Sequence, residues 1–349
     1  LRLRGGRLWY EPGFALEGAN AEYSWSGLLN YIQEGRCVPV IGPGLLENLL
    51  GRPEEIAKSW ADSNRYPFAR HTQQEMVQVA QYLAIRDGSE APRAALRSRL
   101  TEMLRARCRN AGANPDGLDL NQLLEKAGQL SAQNAMDPYQ VLARLPFKIY
   151  VTSALDNLLE QALAAQQPAR TPTVLYYCWK SSLRKADLVK KLVRLKTTPP
   201  TTQEPLVIHL FGVLEEPESW VLSEDDFFEY LMWINRKDNA IPDLVSTAWA
   251  TNPLMFLGFK IHDWTARVLL RSILNEDRWR EILRTGGVRP PYRSLAVQIQ
   301  PGDDNLRPDG VRAYLRNLFP SNYFDLYWGS AENFLSELWK AWEAHPGGH

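Results

Sequence analysis

Four short stretches of the chain carry residues able to do chemistry, and each follows an apolar run. The first is Cys37-Val38-Pro39-Val40-Ile41-Gly42-Pro43-Gly44-Leu45-Leu46, a buried strand running into a tight glycine turn. Backbone without side chains can approach a phosphate closely, and a helix start favours negative charge. The same pattern also serves as an ordinary strand-to-helix turn. The second stretch, Thr152-Ser153-Ala154-Leu155-Asp156, follows the strand expected at 148–152. Asp156 is placed to cap the next helix. The third holds His209, near the end of an apolar run from Leu206 to Leu210. It either faces a crevice at the strand end or is a buried histidine bonded to a backbone group. The fourth is Gly258, which ends the run Leu254 to Leu257 and precedes His262 and Asp263.

Other candidates are weaker. The three cysteines, Cys37, Cys108 and Cys178, are far apart and form no Cys-x-x-Cys pair, so no zinc site is expected. Glu224, Asp225 and Asp226 stand where a helix begins, and acidic residues suit that dipole without any metal. Arg97, Arg99, Arg105, Arg107 and Arg109 read as a solvated helix face rather than a nucleic-acid site. The overall balance agrees, with 40 basic and 40 acidic residues giving no net charge for electrostatic capture. No apolar run approaches the roughly 20 residues that cross a bilayer. The cysteines, odd in number and widely spaced, fit a reducing compartment, and a cytoplasmic location is expected.

Strands at 37–42, 148–152, 174–178, 206–210, 221–222, 254–257, 294–300 and 325–328 alternate with helices that must position these groups. Helices are predicted at 26–33, 44–50, 156–165, 182–196, 224–234, 241–250, 262–275 and 309–318, with a last one capped by Ser330. The segment from about 52 to 145 is mostly helical and interrupts the alternation. The pattern predicts an α/β fold: a Rossmann-like, doubly wound parallel sheet with a helical insertion. Residues 1–25 read as a lead-in, and the abrupt start without Met suggests a piece of a longer protein. Residues 26–345 read as one domain. In a doubly wound sheet the four stretches converge on one crevice at the strand ends.

In this order, the four stretches resemble the sirtuin-like domains of bacterial defence proteins. Ile41-Gly42-Pro43-Gly44-Leu45 is similar to that family's glycine nucleotide loop, and Thr152 to Asp156 to its Thr-Thr-Asn-Tyr-Asp motif. Val207-Ile208-His209-Leu210-Phe211-Gly212 resembles the strand that carries the family histidine. Leu257-Gly258-Phe259-Lys260-Ile261-His262-Asp263-Trp264 resembles its late Gly-Tyr-Ser-x-x-Asp segment.

The resemblance implies NAD as ligand or substrate and no metal, because the four-cysteine zinc module of the protein deacylases is missing. It places Gly42, Pro43, Gly44, Leu45, Thr152, Ser153, Asp156, Gly258 and Asp263 along NAD, with Asp156 near a ribose. The implied reaction is hydrolysis of the nicotinamide–ribose bond, in which an Asn orients water or ribose and a His serves as base. The family Asn falls on Ala154 and the family His on Phe211. His209, two residues earlier, is the candidate replacement, since positions i and i+2 of a strand share a face. Two readings follow: an NAD hydrolase that acts in abortive infection, impaired at Ala154, or a catalytically dead module that binds NAD or ADP-ribose. A homo-oligomer, and further domains on the same polypeptide, are implied by the resemblance alone.

Overall fold

The computed structural model describes residues 2–4, 7–9, 25–47, 51–234, 243–259, 293–299, 307–318 and 322–346. Strands β1 (Arg2–Arg4) and β2 (Arg7–Trp9) pair antiparallel by themselves. The main sheet has β3 (Val38–Ile41), β4 (Ile149–Thr152), β5 (Thr173–Tyr176), β6 (Leu206–His209), β7 (Leu254–Phe259), β8 (Arg293–Ile299) and β9 (Asn322–Trp328). Its order is β5-β6-β4-β3-β7-β8-β9. Every pairing in it is parallel. Strands β4 and β6 lie to one side of β3, and β7 to β9 lie to the other. This is the doubly wound order, with the switch between β3 and β7.

The central strands are short apolar runs because both faces of the sheet are covered. Along β3, Val38 and Val40 enter one core layer while Ile41 enters the other. Along β4 and β6, Tyr150 and Val207 join Ile41, whereas Ile149, Val151, Leu206 and Ile208 join the opposite layer. The period-two alternation of a strand therefore sorts the residues into two cores.

Five α-helices lie between β3 and β4 among the described residues: α2 (Pro53–Ser63), α3 (Met76–Asp87), α4 (Ala91–Asn110), α5 (Leu120–Ala132) and α6 (Pro138–Arg144). Together with α1 (Trp25–Gln33), α7 (Leu158–Ala164) and α12 (Ala331–Glu343) they cover the face of Ile41 and Tyr150. The other face is covered by α8 (Ala186–Thr197), α9 (Glu224–Ile234), α10 (Asp243–Thr251) and α11 (Pro308–Leu318). Local chemistry sets several boundaries. Asp119 and Gln122 form a reciprocal capping box at the start of α5, and the Ser330 hydroxyl accepts from the Asn333 N–H at the start of α12.

Arginines act as internal staples here. Arg93, on α4, is buried and donates to the carbonyls of Ser89, Pro217 and Trp220 and to Asp226 Oδ1 at 3.0 Å. Asp226 also accepts from the N–H groups of Leu222 and Ser223, so the acidic start of α9 is held by the insertion. Asp225 is bonded to Gln81 of α3. Of the arginines expected to be solvated, Arg99 pairs with Glu102, Arg109 with Asp116, and Arg105 donates to the Leu118 carbonyl.

Three local expectations are revised or fall outside the description. The glycine turn opens a short 3-10 turn, Pro43–Leu46, in place of a helix through residue 50, and 48–50 are not among the described residues. Val221 and Leu222 form no strand. They are buried, and the Val221 N–H donates to the Phe211 carbonyl at 3.1 Å, so their apolar character serves packing beside β6 rather than a ladder. The helix expected at 262–275, with His262 and Asp263, lies outside the described residues.

Candidate functional site at the carboxyl ends of the central strands

The carboxyl ends of β3, β4, β6 and β7 bring described residues of all four stretches into contact with a neighbouring stretch. Gly42 follows β3 directly and donates its N–H to the Leu257 carbonyl of β7 at 2.7 Å. A Cβ on Gly42 would lie 2.6 Å from the Gly258 carbonyl oxygen, and one on Gly44 2.7 Å from the same atom. A Cβ on Gly258, whose φ is +69°, would lie 2.8 Å from the Leu45 nitrogen. The three glycines therefore interlock backbone to backbone at the switch point. Their missing side chains make room for each other, which gives the glycines a packing reason of their own. Pro43 and Gly44 are half-buried, while Leu45 enters the core.

The turn after β4 is tied to β3. Both the N–H and the hydroxyl of Ser153 donate to the Ile41 carbonyl, at 2.9 and 3.1 Å. Thr152 is buried, and its hydroxyl oxygen accepts from the Ala154 N–H at 3.0 Å. The Asp156 carboxylate accepts from the Leu158 N–H, the first of α7, through Oδ1 at 3.1 Å; the N-cap position itself is Asn157, whose side chain makes no capping bond, so the expected cap is displaced by one residue. Its other oxygen, Oδ2, is buried without a protein partner. Burial pushes the Asp156 carboxyl up to about 6, and the neighbouring Glu160 charge pushes the same way. Ala154 itself is buried, with only a methyl group at the position.

His209 pairs with Thr152 in the sheet register and faces the same layer as Val207. It is 1% exposed. Its Nδ1 is 2.8 Å from the Ala154 carbonyl oxygen, and its Nε2 is 2.6 Å from Glu160 Oε1. Burial disfavours the charged ring, but the Glu160 carboxylate outweighs it, and the imidazole lies above its ordinary pKa.

Phe211 does not share the face of His209. The strand ends at His209, so strict alternation stops there, and Phe211 turns to the opposite layer. Its ring packs edge-on against Phe227 and Tyr230, with 5.4 Å between centroids in each case. Asp263 and His262 are outside the described residues, so Gly258 alone represents the fourth stretch.

Two residues at this site had no role in the sequence reading, Glu160 and Tyr139. Glu160 stands four residues after Asp156, a spacing that puts both on one side of a helix start. Tyr139, on α6, is buried with its hydroxyl unpartnered and feels the charges of both Asp156 and Glu160. No local signal joins it to residues so far along the chain.

Residues 148–284 match the family model described as a SIR2-like domain. That segment is similar to SIR2-like domains. SIR2-like domains bind NAD, and the matched segment holds the Thr152–Asp156 turn, His209 and Gly258. The glycine turn at 42–44 precedes it in sequence, but β3 is inserted between β4 and β7 of the SIR2-like segment. No curated protein matches the chain. Among the described residues, no group of His, Cys, Asp and Glu could hold a metal ion. No described helix is long and apolar enough to cross a membrane.

The residues present fit a dinucleotide in one respect above all. Asp156 Oδ2 is a buried acceptor without a donor, and a ribose hydroxyl is the donor that NAD would bring. Ser153, Pro43 and Gly44 are among the half-buried residues along the same strand ends.

Proposed function

We propose that the SIR2-like domain binds NAD or ADP-ribose at the carboxyl ends of β3, β4 and β7 and does not hydrolyse it at an appreciable rate. Binding is supported by the family match and by the position of the Thr152–Asp156 turn beside the sheet's switch point, where doubly wound folds take their ligands. The loss of chemistry rests on one observation above the rest. His209, the only histidine at the described strand ends, has both ring nitrogens engaged, by Ala154 and Glu160. A general base needs a free lone pair within reach of the proton it removes. The Ala154 methyl can neither orient water nor hold a hydroxyl, and Phe211 brings only an aromatic ring.

In this reading Asp156 holds a ribose hydroxyl, and Ser153 and the glycine turn line the dinucleotide. The domain serves a larger polypeptide as a nucleotide sensor or oligomerisation module.

The experiment is calorimetric titration of the chain with NAD and with ADP-ribose, beside a nicotinamide-release assay on the chain and on Ala154→Asn. Saturable binding with no nicotinamide release by the chain is the expected result. Rapid release by the unmodified chain would overturn the loss of chemistry and return the protein to the NAD-depleting defence effectors. Absence of binding to either nucleotide would overturn the whole proposal.

A further inference from the structure

Besides the glycine interlock, the molecule has a second unusual feature: a buried polar cluster beneath the Thr152–Asp156 turn. It comprises His209 on β6, Asp156 in the turn, Glu160 on α7 and Tyr139 on α6. Three polar atoms in it, Asp156 Oδ2, Glu160 Oε2 and the Tyr139 hydroxyl, are buried without protein partners. The His209 side chain is 2% exposed and that of Glu160 12%. Buried, poorly satisfied polar groups are expensive, so such a cluster calls for a reason.

The hydrogen-bond chemistry around His209 constrains its protons. The Ala154 carbonyl is only an acceptor, so Nδ1 must carry hydrogen to approach it at 2.8 Å. An ionised Glu160 is also only an acceptor, so Nε2 must carry hydrogen to approach it at 2.6 Å. A neutral ring has one N–H. With Glu160 ionised, two acceptors, one on each nitrogen, therefore require the imidazolium.

We propose that His209 is a positioning residue held as a buried imidazolium, and that it fixes the nucleotide-binding turn by tethering the Ala154 carbonyl to Glu160. Its proton makes the turn sensitive to pH. The ladder fixes the His209 backbone independently, since its carbonyl accepts from the Tyr177 N–H at 2.8 Å. The side chain is thus anchored on β6 and reaches across to the turn after β4. The ionisable groups that face it are Glu160 from α7 and Asp156 from the turn. Tyr139 of α6 feels the charges of both carboxylates and of Asp137. One cation faces two carboxyl groups, and Asp156, pushed up to about 6, is the one the imidazolium leaves unpaired.

The sign of the pH effect follows. The folded ring lies above its ordinary value of 6.5. The stabilisation is complete below that ordinary value and is lost as pH rises through the raised one. Loss of the proton turns a lone pair toward Glu160 and loosens the tether.

The decisive variant is Glu160→Gln. A glutamine amide donates as well as accepts, so a neutral His209 with hydrogen on Nδ1 can satisfy both neighbours. The full chain is labelled with 15N-histidine, and His209 is assigned by comparison with His209→Gln. Both ring nitrogens of His209 are expected to keep hydrogen to a higher pH in the unmodified chain than in Glu160→Gln, where Nε2 loses it first. The thermal unfolding midpoint of the unmodified chain is expected to fall as pH rises beyond the raised value, while that of Glu160→Gln stays flat by comparison. A His209 ring that loses its proton at the same pH in both proteins, or identical unfolding profiles against pH, would overturn the proposal. The ligand arm rests on the NAD-binding reading: NAD affinity is expected to weaken by up to about tenfold per pH unit above the raised value. If no nucleotide binds at any pH, that reading fails while the ring measurement still decides the state of His209.

Discussion

Replacing Gly258 with alanine tests whether three glycines are interlocked at the switch point. The backbone there has φ +69°, a left-handed conformation that costs an ordinary residue about 1–2 kcal/mol. The new methyl would also meet the Leu45 nitrogen at 2.8 Å, Leu45 Cδ1 at 2.9 Å and the Gly44 carbonyl carbon at 3.2 Å. Leu45 Cδ1 can rotate away. The backbone atoms cannot, because the turn is tied down by the Gly42 N–H bond to Leu257 and by Ser153 bonded to the Ile41 carbonyl. Overpacking of this kind costs about 1–3 kcal/mol. The expected loss of stability is therefore roughly 2–5 kcal/mol. Gly112→Ala provides the control: its φ of +75° is similar, and nothing lies within 4 Å of its added Cβ. It carries only the backbone term, about 1–2 kcal/mol. Urea unfolding of both variants against the unmodified chain gives the comparison. Equal destabilisation by the two substitutions would refute the interlock.

Two further predictions concern charges. Asp156→Asn keeps an oxygen for the Leu158 N–H but removes a buried carboxylate whose pKa stands at about 6. A raised carboxyl loses stability as pH rises from its unfolded value to its folded one, so at pH 7–8 the variant is expected to be more stable by up to roughly 3 kcal/mol. Its NAD affinity is expected to drop, and a less stable variant with unchanged affinity would remove Asp156 from the site. Arg93→Met breaks a buried pair with Asp226 and strips donors from three carbonyls, which is expected to destabilise the chain by about 3–5 kcal/mol. Chemical denaturation measures it, and a loss near zero would show that the insertion is not stapled to the loop after β6.

Much of the architecture is legible along the chain because a covered parallel sheet writes its strands as short continuous apolar runs. Val38 to Ile41, Leu206 to His209 and Leu254 to Phe259 stand out for that reason, and so does the helical run between β3 and β4. Caps are equally local: Ser330 binds an N–H three residues away, so its sequence context suffices. The errors arise where an apolar pair has no neighbour in the ladder. Val221 and Leu222 look like a strand, but only the position of β6 and its neighbours decides that they pack instead.

The candidate site divides in the same way. By itself the sequence determined which residue types stand at the strand ends, because motif and strand occupy consecutive positions. It put Gly42, Gly44, Asp156, His209 and Gly258 where parallel strands finish, and it put alanine and phenylalanine at 154 and 211. The tertiary structure alone decided what those residues touch. Gly42 and Gly258 are separated by most of the chain, yet each leaves room for the other's backbone. His209 and Phe211 are two positions apart, yet they enter opposite layers, because alternation lasts only as long as the strand. The partner of His209 is Glu160, on a helix that follows a different strand. Side-chain identity and local geometry are written in neighbouring residues, whereas the contacts of His209 depend on the pairing of β6 with β4, which sets it against two acceptors in the segment that follows β4.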